Sequence, residues 1–214
     1  MSDTETPKKY GHCKLVLLGD SAVGKSSLVQ RFTKNTFDEL RESTIGAAFI
    51  TKTVPLDSTL VVKFEIWDTA GQERYKSLAP MYYRNADAAL VVFDITDPTS
   101  FEKAKKWVQE LRVQAPETLI VKFVGNKIDL KDRPQANTVE DAEVLAYCKD
   151  EGVEYLQCSA KTGENVSRVF ELIAEDLPLE KFVDPSAEDT EDQSGSRGVI
   201  DLNRVTERAK SCSC

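Results

Sequence analysis

Apolar residues recur along this chain in two rhythms. Leu15-Val16-Leu17-Leu18 and Leu119-Ile120-Val121 belong to continuous apolar runs, whereas Val62-Lys63-Phe64-Glu65-Ile66-Trp67 alternates. Both patterns read as strands, buried on two faces or on one. Phe101, Ala104, Trp107, Val108 and Leu111 instead fall on a helical stripe, as do Val166, Val169, Phe170, Ile173 and Leu177. Both stripes are read as core, and Pro98 suits a first helical turn. The spacing predicts strands near 13–19, 46–55, 60–68, 88–94, 119–125 and 154–158, and helices near 25–34, 73–84, 101–114, 138–150 and 164–177. Alternation of this kind gives an α/β domain with a mostly parallel, six-stranded sheet and about five helices. The second and third strands are joined only by Leu56-Asp57-Ser58-Thr59, so they form a hairpin with one antiparallel edge strand.

The ends break the rhythm. Residues 1–12 read as a flexible lead, 13–177 as the folded domain and 178–214 as a tail. Asp184 to Ser196 is acidic and poor in large apolar groups, the composition of a disordered linker. Met1-Ser2-Asp3-Thr4 begins no secretory signal, Ser2 stands where myristoylation demands glycine, and no apolar run is long enough to cross a bilayer. The expected compartment is therefore the cytosol. A net charge of −8 argues against general nucleic-acid binding, which needs a basic face. Cys13, Cys148 and Cys158 are scattered through apolar segments with neither zinc nor disulfide spacing, which points to reducing surroundings.

Chemistry enters at Gly19-Asp20-Ser21-Ala22-Val23-Gly24-Lys25-Ser26, which matches G-x-x-x-x-G-K-[ST] between a predicted strand and a helix that continues through Ser27. Its glycines let backbone N–H groups wrap a triphosphate, Lys25 adds charge at the outer phosphates and Ser26 can ligate Mg²⁺. The fold is then of the three-layer P-loop NTPase type. Asp68-Thr69-Ala70-Gly71, after the third strand, delivers a carboxylate towards Mg²⁺ and a backbone N–H, that of Gly71, towards the last phosphate. Asn126-Lys127-Ile128-Asp129 selects the base. A carboxylate at Asp129 accepts both N–H groups of guanine's Watson–Crick edge, whereas adenine would leave it repelled. Lys127 can lay its stem along the base, Asn126 ties loops together, and Ser159-Ala160-Lys161 could offer the Ala160 N–H to the guanine carbonyl. Thr44, between the first helix and second strand, could complete the Mg²⁺ shell only when a third phosphate is present, so residues 37–46 read as a loop released on hydrolysis. The rivals are an ATP-using kinase of the same loop class, disfavoured by residues 126–129, and a scaffold locked in one nucleotide state.

These residues, in this order, resemble the Ras superfamily of small GTPases. Gly46-Ala47-Ala48-Phe49, Ile66 to Tyr75 and Ser77 to Arg84 resemble its Rab branch, and within it the early-endosomal Rab proteins, including fungal vacuolar-sorting members. The resemblance implies that Gln72 orients the attacking water and that Phe37 packs on guanine. It implies catalytic roles for Gln72 and Lys25, GTP or GDP as ligand with Mg²⁺, and slow hydrolysis that an activating protein stimulates. Ser21 after Asp20 is a residue the family permits, so hydrolysis is expected to be intact. Implied partners are an exchange factor, an activating protein, effectors and tethers, and escort and dissociation-inhibitor proteins, the chain itself being a monomer.

Two surface readings follow. Lys63, Glu65 and Trp67 share the strand face opposite Val62, Phe64 and Ile66. With Phe49 and Tyr82, Trp67 would make an aromatic patch beside both nucleotide-sensing loops, unless the lead or tail covers it. The resemblance implies effector binding by Ala48, Phe49, Trp67 and Tyr82. Arg41 stands three residues before Thr44, the offset at which some large G-protein α subunits carry an internal arginine finger, but a lone spacing is a weak signal and the favoured reading is a solvated charge in Glu39-Leu40-Arg41-Glu42. Cys212-Ser213-Cys214 resembles the Rab terminus that carries two geranylgeranyl groups, and two lipids anchor stably where one does not. That places the chain on the cytoplasmic face of endosomal membranes, with a cytosolic pool. Val199-Ile200-Asp201-Leu202 reads either as a segment for an escort protein or as a chance cluster.

Overall fold

A computed structural model describes residues 8–72, 77–133 and 138–184. In chain order the elements are β1 (Lys9–Leu18), α1 (Lys25–Lys34), β2 (Ala47–Pro55), β3 (Leu60–Thr69), α2 (Ala79–Tyr83), β4 (Ala88–Asp94), α3 (Pro98–Gln114), β5 (Ile120–Asn126), α4 (Asp141–Glu151), β6 (Glu154–Gln157), α5 (Val166–Glu175) and β7 (Phe182–Val183). The sheet runs β2-β3-β1-β4-β5-β6. Pairing is parallel from β3 through β6, and β2 is the antiparallel edge expected from the hairpin.

Strand parity divides the core into two layers. From β1, Cys13, Leu15 and Leu17 pack with Leu28 and Val29 of α1 and Val169, Phe170 and Ile173 of α5. Val16 and Leu18 point the other way, towards Tyr83 of α2, Phe101 and Val108 of α3 and Val144 of α4. Every residue of β4 is buried, as a central parallel strand between two helical layers demands. On the first face, Phe32 stacks on Phe170 with ring centroids 3.7 Å apart. On β3, Val62, Phe64 and Ile66 are buried while Lys63, Glu65 and Trp67 are only partly so. Trp107 packs as a partly covered member of the second layer, and Cys13, Cys148 and Cys158 are buried free thiols.

Three boundaries differ most from expectation. β1 begins at Lys9, inside the predicted flexible lead, because Lys9 to Leu17 pairs in register with Leu60 to Asp68. Residues 1–7 lie outside the described residues. The helix expected over 73–84 is Ala79–Tyr83, with Pro80 in its first turn, where a residue without an N–H fits; residues 73–76 are not described. The fold does not end at Leu177. A 3₁₀ turn at Leu179–Lys181 leads into β7, which pairs antiparallel with Tyr10 and Gly11. Gly11 makes this possible, since a Cβ there would lie 2.8 Å from the Phe182 ring. The compact unit reaches Val183, and the linker from 185, the Val199–Leu202 island and both terminal cysteines lie outside the described residues.

One core residue breaks the hydrophobic rule. Lys122 on β5 is 2% exposed, yet its amine meets Glu154 and, at 2.6 Å, Asp176 Oδ2. Burial works against the charge, but the bonds that Lys122 donates to Asp176 and Glu154 outweigh it and hold the pKa above the ordinary lysine value. The pairing ties β5 to β6 and to the end of α5.

Candidate guanine-nucleotide site

The carboxyl ends of β1, β3 and β5 each release a loop at the same edge of the sheet, where an open α/β fold places its ligand crevice. The loops enclose a cavity of about 420 Å³. It is lined by Ser21, Ala22, Gly24, Lys25, Ser26 and Ser27 of the first loop and helix, by Phe37 and Thr44, by Gly71 and Gln72, by Asn126, Lys127 and Asp129, and by Ala160 and Lys161. Three other expected residues, Val23, Asp68 and Ser159, lie buried behind it.

The first loop is shaped for backbone donors. Ala22 (φ 61°) and Gly24 (φ 96°) both adopt left-handed conformations. A side chain at 24 is excluded, since its Cβ would lie 2.3 Å from Asn126 Nδ2. Lys25 is 5% exposed, and its Nζ donates to the carbonyls of Gly19 (3.0 Å) and Asp20 (2.8 Å). Burial pushes its pKa down to about 8, against the pull of Asp68 and Asp20. A cation so desolvated gains strongly from an anion placed beside it. Asp20 is held in turn by Lys103 of α3 at 2.7 Å.

On the metal side, the hydroxyls of Ser26 and Thr44 are 2.7 Å apart. Asp68 is fully buried, and neither carboxylate oxygen has a hydrogen-bond partner of sound geometry among the described residues. Desolvation raises its pKa; the nearby Ser26 hydroxyl and the charges of Lys25 and Arg41 oppose this. A buried, unpartnered carboxylate beside two hydroxyls is an all-oxygen donor set, and it fits Mg²⁺. Gly71 abuts the first loop, where an added Cβ would lie 2.3 Å from the Asp20 carbonyl. Gln72 follows it at the cavity wall.

The base side is built on Asn126, which is 1% exposed. Its Nδ2 donates to the Val23 carbonyl (2.8 Å) and its Oδ1 accepts from the Ala160 N–H (3.1 Å), so it joins three loops as expected. Ala160, expected beside the base, is 3% exposed and also lines the cavity. Lys127 (φ 70°) places its Nζ 2.7 Å from Asp94. Asp129, in a 3₁₀ turn at Ile128–Leu130, accepts from Ser159 Oγ at 2.5 Å, which fixes one oxygen and aims the carboxylate.

Several supports had no sequence signal. Arg31, in the last turn of α1, donates to the carbonyls of Ala160 (2.9 Å) and Lys161 (2.6 Å), and Glu39 pairs with Lys161 across the cavity. Their partners lie more than a hundred residues away, so no local pattern could announce them. On the outer face, β2 and β3 register Phe49 against Trp67, with centroids 5.2 Å apart, and Tyr82 meets Trp67 at 5.4 Å. Phe49 is 53% exposed, Ala48 lies beside it in the same strand, and Trp67 and Tyr82 are half-buried. The three rings are contiguous.

The Ras family model matches residues 14–179. The chain is also 53% identical, over 203 residues, to the GTP-binding protein ypt5 of Schizosaccharomyces pombe, a match that covers 94% of this chain and 93% of that relative. No helix among the described residues is long and apolar enough to cross a membrane. With the Asp129 carboxylate, the left-handed first loop and the buried Asp68 carboxylate gathered at one sheet edge, the chain belongs to the Ras family of small GTPases, in its early-endosomal Rab branch.

Proposed function

We propose that this GTPase is a membrane-tethered switch that recruits effectors in its GTP state to control traffic and fusion of endosomal vesicles. The observation that carries the reading is the 2.7 Å approach of Thr44 to Ser26 from a segment, 36–46, with no helix or strand. A loop fastened to the phosphate side by one hydroxyl can report whether the last phosphate is present. Ser26, Thr44 and Asp68 would hold Mg²⁺, which when bound neutralises charge on the phosphates. Lys25 and the loop N–H groups bind and orient the phosphates, and Gln72 holds the attacking water. Thr44 leads directly into β2 and hence to Ala48 and Phe49, so its order is passed to the Phe49–Trp67–Tyr82 patch, an effector surface.

Hydrogen exchange tests this. With a non-hydrolysable GTP analogue in place of GDP, residues 37–46 are expected to gain protection, and Phe49→Ala with Trp67→Ala to abolish capture of endosomal tethers. Equal exchange in the two states, or intact capture, refutes the switch.

Anchoring is proposed through Cys212 and Cys214, supported by the terminal Cys-x-Cys and by the two-lipid requirement for stable binding. Intact mass of membrane-extracted protein is expected to carry two prenyl additions, and an unmodified mass overturns the proposal. Exchange factors, activating proteins, and escort and dissociation-inhibitor proteins are the partner kinds such a cycle requires.

A further inference from the structure

We infer that Arg41 is an arginine finger built into the chain, which stabilises the transition state of its own GTP hydrolysis; the inference rests on the GTPase reading. Arg41 lines the same cavity as Lys25, Ser26, Thr44, Gly71 and Gln72. The three lysines on that wall are committed, Lys25 to two carbonyls, Lys127 to Asp94 and Lys161 to Glu39, while Arg133 also lines the cavity. Arg41 is held differently. Its guanidinium makes one hydrogen bond, from Nη1 to the neutral amide oxygen of Gln30, at 2.6 Å and exposed to solvent. Four of its five donors have no hydrogen-bond partner among the described residues. An exposed bond to a neutral amide competes poorly with a charge-assisted bond to phosphate oxygens.

The segment geometry allows the transfer. Residues 36–46 form no helix or strand, and three residues after Arg41 the chain is fastened at Thr44 to Ser26. A long side chain this close to a fixed point can change partners without moving the fold.

The chemistry is simple. A bond forms between the water oxygen and the γ-phosphorus while the bridging bond to the β-phosphate oxygen breaks. The bond's electron pair stays on GDP, and the water's protons leave with inorganic phosphate and solvent. Arg41 keeps its own proton throughout and offsets charge that grows on the bridging and equatorial oxygens.

The test is single-turnover hydrolysis of bound GTP by the full chain without an activating protein, together with the dissociation rate of a fluorescent GDP. Arg41→Ala is expected to slow hydrolysis by about 10-fold or more, as befits an arginine supplied internally, and to leave GDP dissociation unchanged. It should also lose the complex of GDP with aluminium fluoride that wild type forms alone. Gln30→Ala, which frees the guanidinium, is expected to keep or raise the rate. An unchanged rate in Arg41→Ala overturns the inference. Equal slowing in Arg41→Ala and Gln30→Ala also overturns it, since the pair would then merely hold the loop. Wild-type protein that hydrolyses no GTP at all defeats the GTPase reading instead.

Discussion

Replacing Asp129 by alanine is expected to lower GTP affinity by roughly 10²–10⁴-fold, the worth of two hydrogen bonds to a charged acceptor, without improving ATP binding. The carboxylate is pre-aimed: Ser159 Oγ holds one oxygen at 2.5 Å, and Ser159 itself is fully buried. Little ordering is then left to do when the base arrives. Asp129→Asn keeps the shape but turns one acceptor into a donor that faces guanine's own N–H groups. A base with a carbonyl in place of guanine's amino group satisfies that donor, so Asp129→Asn should prefer xanthine nucleotides over guanine nucleotides. Competition binding with GTP, ATP and XTP measures all three. Undiminished GTP preference in Asp129→Ala would remove the basis of guanine selection here.

What could be read from residues alone was whatever repeats at short range. The alternation Val62, Phe64, Ile66 against Lys63, Glu65, Trp67 fixed which face of β3 is covered, because successive side chains must oppose one another. The first loop was legible for a similar reason: its glycines and lysine act within one turn of their neighbours. Position in the fold did the rest, since strands that run parallel bring their following loops to one edge.

What escaped depends on distant partners. Phe182-Val183 is too short to show any period, and it becomes a strand only because Gly11 leaves room for the Phe182 ring. Lys122 interrupts an apolar run and is tolerated only because Glu154 and Asp176 come from two other elements. Arg31 reads as one more basic residue near a helix end, where it would favour the dipole anyway. Its bonds to Ala160 and Lys161 show a second use, bracing the loop that supports the base.

Asn126→Ala is the second large effect, and it acts without touching the phosphates. The amide spans from the first loop, at the Val23 carbonyl, to the loop after β6, at the Ala160 N–H. Alanine leaves both backbone groups buried without those partners, at about 1–3 kcal/mol each. In a chain of this size, that corresponds to a fall in Tm of roughly 5–15 °C. The first loop and the base loop also lose their shared strut, so GDP should dissociate much faster even though Lys25, Ser26 and Asp129 are intact. Gly24→Ala tests the same contact from the other side, because its Cβ would strike the amide nitrogen at 2.3 Å. If the amide is the coupling element, the two changes combine to less than the sum of their effects, since the second has little left to break. Thermal melts and GDP release on both single variants and the double variant measure it. Full additivity would mean that the two loops are held by something other than Asn126.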